Sequence, residues 1–306
     1  MCDLLCALPA ATNGPTLFAK NSDRPPDERQ VFEWHPPRDG QGLTRATHVA
    51  LRWAPPGRTF GVFGSRPTWG WGLEQGVNEV GVAAGNASIY TTLDPRNAPD
   101  GLTGMDIVRL VLERGSSAAM AVELIDVLLW TIGQGGSGHA RASRPYWSSF
   151  LIADQAGTAY VVETTGNEMA VEEVTSTRAI SNRTTIPSFD AAHRHPGQPV
   201  EERVDPRLRA SQHVLSTTPV TVSSLQAHLT SHDGGDDGWT VCMHVDEPGH
   251  EEATTAAMVV ELPRGAFPVV HHLAGSPCRE TWEVFRFDGP GTATVSGASV
   301  SAIDRS

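Results

Sequence analysis

A cysteine directly after the initiator methionine and the later run Lys20-Asn21-Ser22-Asp23 are the residues from which a reaction could be built. Cysteine is small enough for Met1 to be trimmed, which leaves a thiol and a free α-amino group on the same residue. The thiolate is the nucleophilic form, and an α-amine with an ordinary pKa of roughly 7.7–8.0 can take the thiol proton near neutrality. Nucleophile and base then arrive as one unit, an arrangement suited to attack on acyl carbonyls. Asp23 could hold such an amine through a charge-assisted hydrogen bond.

The elements that must position these groups are legible in outline. Cys2 to Leu8 is almost wholly apolar and reads as a strand; Asn13-Gly14 supplies a hairpin turn and Thr16 to Lys20 the returning strand, bringing Lys20, Asn21 and Asp23 back beside Cys2. Cys6 shares the strand face of Cys2 and reads as a small buried hydrophobe. Proline pairs break the region 24–57 into turns and short strands. Trp69 and Trp71 offer apolar walls with polar edges, fit for lining a substrate pocket. Val80 to Ala84 reads as a strand ending at Gly85-Asn86. Thr103 with Asp106 caps one helix and Ser117 starts a second, whose apolar residues recur at helical spacing up to Gly133. Residues 148–154, 158–163 and 168–174 form an antiparallel meander. Pro206 to Leu215 reads as a helix with proline at its first position. Gly133 to Gly136 lacks the Lys-Ser/Thr ending of a phosphate loop, so nucleotide binding is not expected.

The opening stretch CDLLCALPAATNGPTLFAKNSDRPPDERQ resembles that of the secernin and bacterial dipeptidase family of N-terminal nucleophile (Ntn) cysteine hydrolases. The likeness continues through SRPTWGWGLEQGVNEVGVAAGN, GMDIVRLVLER, GQGG, SSFLIAD, Ser181-Asn182 and Thr254-Thr255, and LFAKNSD is more distantly similar to the choloylglycine and penicillin acylases. The resemblance implies an α+β fold, the four-layer αββα sandwich, with the amino-terminal strand at its centre. It implies that Cys2 attacks, that Lys20 and Asp23 orient the substrate and the amine, that Asn86 donates to the oxyanion, and that Asn182 contacts the substrate or the amine. Lys20 stands where the acylases carry arginine, and Arg183-Thr184 replaces the proline pattern that usually follows the second asparagine. Asn21, Trp69, Trp71 and Arg207 complete the expected substrate-binding set. The implied activity is cysteine amidohydrolysis through a thioester, most simply on dipeptides, with a non-peptide amide or acyl transfer as the alternative.

Composition bounds the remainder. The 306 residues, 39% of them hydrophobic, form one large domain or two small ones; the expected division is a single domain over 2–288 and a Gly/Ser/Thr-rich tail over 289–306. A formal charge of −12 without basic runs argues against nucleic acid as a partner. Neither a bilayer-spanning stretch nor a cleavable leader is visible, so a cytoplasmic protein is expected, with its four cysteines reduced. Cys242, His244 and His250 are ligand types, but their spacing fits no paired zinc pattern, so no metal is expected, nor any cofactor. A homo-oligomer is compatible with the sequence. A thiol redox protein pairing Cys2 with Cys6, and a binding protein that keeps the fold without catalysis, are the readings from other classes.

Overall fold

The computed structural model describes residues 1–39, 44–51, 57–296 and 301–302. In chain order the elements are β1 (Cys2–Ala7), α1 (Pro9–Thr12), β2 (Thr16–Arg24), β3 (Gln30–His35), β4 (Thr44–Arg45), β5 (Ala50–Leu51), β6 (Val62–Pro67), β7 (Gln75–Asn78), β8 (Val82–Ile89), α2 (Gly104–Arg114) and α3 (Ala118–Thr131). There follow β9 (Trp147–Asp154), β10 (Ala159–Thr165), β11 (Glu168–Glu173), β12 (Thr177–Ile180), α4 (Pro187–His193), α5 (Val200–Arg203), α6 (Asp205–Ser216), α7 (Val222–Thr230), β13 (His244–Glu247), β14 (His250–Leu262), β15 (Val269–Ala274), β16 (Glu283–Gly289), β17 (Thr292–Ser296) and β18 (Ser301–Ala302).

Among the described residues the strands make two eight-stranded sheets, one ordered β12-β1-β2-β14-β15-β16-β17 with β13 on β14, the other β11-β10-β9-β8-β7-β6-β3-β18, while β4 and β5 pair by themselves. The two sheets face one another across a core that holds Cys2, Leu4, Cys6, Phe18, Phe63 and Phe285. The period-2 alternation of strands sends the intervening side chains outward. Leu5, Ala7, Leu17 and Ala19 therefore meet Leu208, Leu225 and Leu229 of α6 and α7. On the far side, Val82, Ala84, Phe150 and Ile152 meet Ile107, Val111, Ile125 and Leu128 of α2 and α3. Helices thus cover both outer faces, and the αββα sandwich is the fold; β1 lies in one of its two inner layers, beside the edge strand β12 and not at the sheet's centre as expected.

Most expected elements are present, with corrections. The Thr103–Asp106 capping box and the Ser117 cap open α2 and α3, and the meander is β9-β10-β11. The first two strands are not joined by a two-residue turn: Pro9 starts a single helical turn, α1, which ends at Asn13 in the left-handed conformation (φ 55°). β8 does not stop at Gly85-Asn86 but runs on to Ile89. Beyond residue 288, β17 pairs with β16, and β18 lies parallel to β3; residues 297–300 and 303–306 of the expected tail lie outside the described residues. Among the described residues no helix is long and apolar enough to cross a membrane.

Candidate active site

β1 and β2 pair with Cys2 opposite Ser22, Asp3 opposite Asn21 and Leu4 opposite Lys20. Cys2 and Lys20 consequently share the inter-sheet side, whereas Asp3 and Asn21 face α6 and α7. The chain carries Met1, so the nitrogen of Cys2 is a peptide N–H; it is the atom that would become the α-amine if Met1 were removed. That nitrogen donates to Asn182 Oδ1 at 2.7 Å. Asn182 Nδ2 in turn donates to Ser88 O at 3.0 Å and to Ser88 Oγ at 3.1 Å, so an amide on the loop after β12 spans from the end of β8 to the first strand.

Arg207 of α6 is fully buried and tightens this arrangement. Its Nη1 donates to Asp3 Oδ2 at 2.5 Å and its Nη2 to Asn182 Oδ1 at 3.2 Å. Ser181 Oγ donates to the other oxygen of Asp3 at 2.7 Å. Arg207, expected among the substrate-binding residues, here positions the asparagine that holds Cys2, and its Nη2 also reaches Met1 Sδ at 3.8 Å.

Asp23 lies against the same end of β1. Its backbone N–H donates to Met1 O at 2.8 Å, and the Met1 ammonium donates to Asp23 O at 3.0 Å. Thr254 Oγ1 donates to Asp23 Oδ1 at 2.6 Å; Oδ2 has no hydrogen-bond partner and sits 3.9 Å from Arg207 Nη1. Burial raises the Asp23 carboxyl to about 6, against the pull of the chain-terminal ammonium and Arg207. For the Met1 amine, burial disfavours the charge, but the carboxylate of Glu252 at 3.4 Å, with Cys2 and Asp23, outweighs it and the pKa is raised.

The Cys2 thiol is pushed upward by burial, with Lys20 pulling the other way. Lys20 is wholly buried. Its Nζ donates to Glu74 O at 2.7 Å and to Glu74 Oε2 at 3.1 Å. Arg24 Nη1 reaches Glu74 Oε1 at 2.5 Å and Arg24 Nε reaches Glu28 Oε2 at 2.9 Å. Burial works against the Glu74 charge, yet Lys20 and Arg24 hold its pKa below the usual carboxylate range. The result is a chain of alternating charges, Lys20–Glu74–Arg24–Glu28, beside the thiol. Gly85 lets it pass: a Cβ there would lie 3.0 Å from Leu4 Cδ2 and 3.1 Å from Lys20 Cδ.

Several expected site residues stand elsewhere. Asn86 pairs with Phe150, whose ring belongs to the helix-facing core; the Asn86 amide approaches Tyr146 Oη at 3.4 Å, and its Nδ2 would lie 2.5 Å from a Cβ on Gly104 of α2. It is turned to the helices, away from the inter-sheet space that holds Cys2, because β8 continues through it and alternation fixes its face. Asn21 is likewise structural: Nδ2 donates to Leu229 O at 2.8 Å and Val241 O at 2.9 Å, tying β2 to α7 and the strap after it. Trp69 joins the charge chain, with Nε1 donating to Glu28 Oε2 at 3.1 Å and Arg24 above its ring at 5.6 Å. Trp71 lies under Arg109, 4.2 Å from guanidinium to ring, beside a separate cavity of about 740 Å³ whose lining omits Cys2 and Asn182. Cys6 stays in the inter-sheet core, its thiol pushed up to about 12 by burial. Four strand residues span roughly 13 Å, well beyond disulfide reach, so a Cys2–Cys6 redox pair is ruled out.

Glu74, Asp3, Ser88, Thr254 and Glu252 enter the site without having been singled out for roles. Asp3 carried a signal, an acid following Cys2 inside an apolar strand; the others are joined to it only by the fold.

The model of the acyl-coenzyme A:6-aminopenicillanic acid acyl-transferase family matches residues 11–221. Among solved structures, the chain is similar to a mutant of the conjugated bile acid hydrolase from Clostridium perfringens, with a TM-score of 0.57 and 13% identity over 99% of both chains. It is also similar to penicillin V acylase from Agrobacterium tumefaciens, with a TM-score of 0.56 and 14% identity over 98% of this chain and 100% of that one. These likenesses support the Ntn hydrolase fold. With a family model covering more than half of its length, the chain belongs to the acyl-coenzyme A:6-aminopenicillanic acid acyl-transferase family.

Proposed function

We propose that the protein is a cysteine amidohydrolase whose nucleophile is Cys2 after removal of Met1. The observation that carries this reading is the 2.7 Å hydrogen bond from the Cys2 nitrogen to Asn182 Oδ1, which fixes the base-to-be against a buried acceptor. In the freed chain the α-amine takes the thiol proton, and the thiolate adds to the amide carbonyl. The protonated amine then gives its proton to the leaving nitrogen, the thioester forms, and water releases the acid by the same route. Asp23 Oδ2, buried and unpartnered by hydrogen bonds, is the acceptor that keeps the ammonium oriented. Because Asn86 faces the helices, the oxyanion donor is assigned to Asn182 Nδ2, which exchanges Ser88 for the developing charge.

The finer reading is dipeptide hydrolysis. Beside the Met1 ammonium stand Glu252 and, 4.0 Å from it and about half exposed, Arg144. One carboxylate and one guanidinium beside the chain start complement the ammonium and carboxylate termini of a short peptide. The second reading, acyl transfer or hydrolysis of a non-peptide amide, is favoured by the description of the matching family. A panel of dipeptides, their N-acetylated forms and N-acyl amides, assayed with and without an added amine, separates the readings. Turnover confined to free-amino dipeptides is expected; equal or better turnover of blocked substrates overturns the dipeptidase assignment. A processed protein inactive on the whole panel overturns the amidohydrolase.

A further inference from the structure

Away from Cys2, at the surface end of the strap that follows α7, the side chains of His232, Cys242, His244 and Cys278 converge. Each offers one ligand atom, and these atoms all lie within 4.8 Å of one another. His244 Nε2 is 3.5 Å from Cys242 Sγ and 3.1 Å from Cys278 Sγ, and the rings of His232 and His244 are 5.3 Å apart. Zn–S bonds of about 2.3 Å and Zn–N bonds of about 2.0–2.1 Å in a tetrahedron require ligand atoms about 3.3–3.8 Å apart. The distances found bracket that requirement. We propose that these four residues bind one zinc ion in a closed, structural site.

The donor set is the one zinc prefers, two thiolates and two imidazoles, and it is too soft for magnesium or calcium. On binding, the two thiols release their protons to solvent, and the cation, two thiolates and two neutral rings form a site without net charge. Four protein ligands leave no open position for substrate or water, which separates this site from catalysis. Sequence spacing hid it: only Cys242 and His244 are near one another in the chain, His250 belongs to the far end of the β13–β14 hairpin, opposite Glu247, and His232 and Cys278 arrive from the end of α7 and the turn after β15. Cys242 is buried, Cys278 and His244 are half-buried and His232 is exposed, so an ion could enter from the surface without opening the core.

The position gives the ion a purpose. Cys242 N–H donates to Ser231 O at 2.9 Å. The next residue, Met243, donates from its N–H to Thr254 Oγ1 at 2.9 Å, and Thr254 Oγ1 donates to Asp23 Oδ1. An ion held by Cys242 and His244 therefore pins both flanks of the residue that supports Thr254, and with it the carboxylate beside Cys2.

The test is metal analysis of the purified full-length protein after zinc loading and removal of loosely held metal with a weak chelator. One zinc per chain is expected, and cobalt in its place should give a thiolate-to-cobalt charge-transfer band and a tetrahedral d–d envelope. His232→Ala, at an exposed position that spares the fold, and Cys278→Ser should each weaken zinc binding at least tenfold, while His250→Ala leaves it unchanged; circular dichroism checks that all remain folded. Folded wild-type protein that takes up no zinc, affinity unaffected in both ligand variants, or a Cys242–Cys278 disulfide in protein prepared under reducing conditions would each overturn the proposal.

Discussion

Asn182 Oδ1 receives two hydrogen bonds at once, from the Cys2 nitrogen at 2.7 Å and from Arg207 Nη2 at 3.2 Å. One acceptor thereby links the Cys2 nitrogen to a buried cation and fixes its direction. Asn182→Ala is expected to lower kcat by about a hundredfold to a thousandfold with a smaller change in KM, since both orientation and an oxyanion donor are lost. Steady-state kinetics on the best substrate check this, and a variant with unchanged kcat removes Asn182 from the mechanism.

Cys2→Ala should abolish turnover and leave the far-ultraviolet circular dichroism unchanged, because the side chain removed is small and its strand is held by pairing on both sides. Intact-mass measurement of active wild-type protein should find Met1 gone. Full activity with Met1 still attached would remove the amine from the reaction.

The Asp23 carboxyl, raised to about 6, sets an acid limb. Below pH 6 it protonates and ceases to orient the amine, so kcat/KM should fall as pH drops through that value, and Asp23→Asn should lose the limb along with most of the activity. Stability moves the opposite way. The folded pKa lies above the unfolded one, so this group favours the fold below about pH 4, and the contribution is lost as pH rises through 6. Asp23→Asn should therefore be more stable than the wild type above pH 6, on the order of 1–3 kcal/mol; urea unfolding at pH 5 and pH 8 measures it.

Glu74 bridges Lys20 and Arg24, all three buried. Glu74→Gln leaves two cations facing a neutral amide and should cost about 3–5 kcal/mol, read from the urea midpoint. A change below 1 kcal/mol would mean that water reaches the pair.

How much of this was legible depended on whether a neighbour in sequence or a neighbour in space decided the matter. The caps at Thr103 and Ser117, the meander and the apolar first strand rest on local signals, and they appear as expected. Pro9 and Asn13 carried the marks of a short helical turn, which Asn13-Gly14 as a hairpin signal masked. Gly85-Asn86 looked like a strand end; the glycine is there because Leu4 and Lys20 pass close to it, and the strand continues. Asn21 and Asn182 are alike in type, yet only tertiary packing decides that one ties down a helix end while the other meets Cys2. The partners of Lys20 and Asp23, namely Glu74 and Thr254, come from strands and loops remote in the chain, where no pattern in sequence could pair them.

The first methionine lies beneath Trp239, Met243 and Val245, its ammonium bonded to Asp23 O and Glu252. An aminopeptidase needs that ammonium free and the chain extended, and the finished sandwich offers neither. If Cys2 is the nucleophile, Met1 must therefore be cut away before the chain closes over it: a molecule that folds first stays stoppered by its own starting residue, and rapid overproduction should then yield a mixture of processed and unprocessed copies.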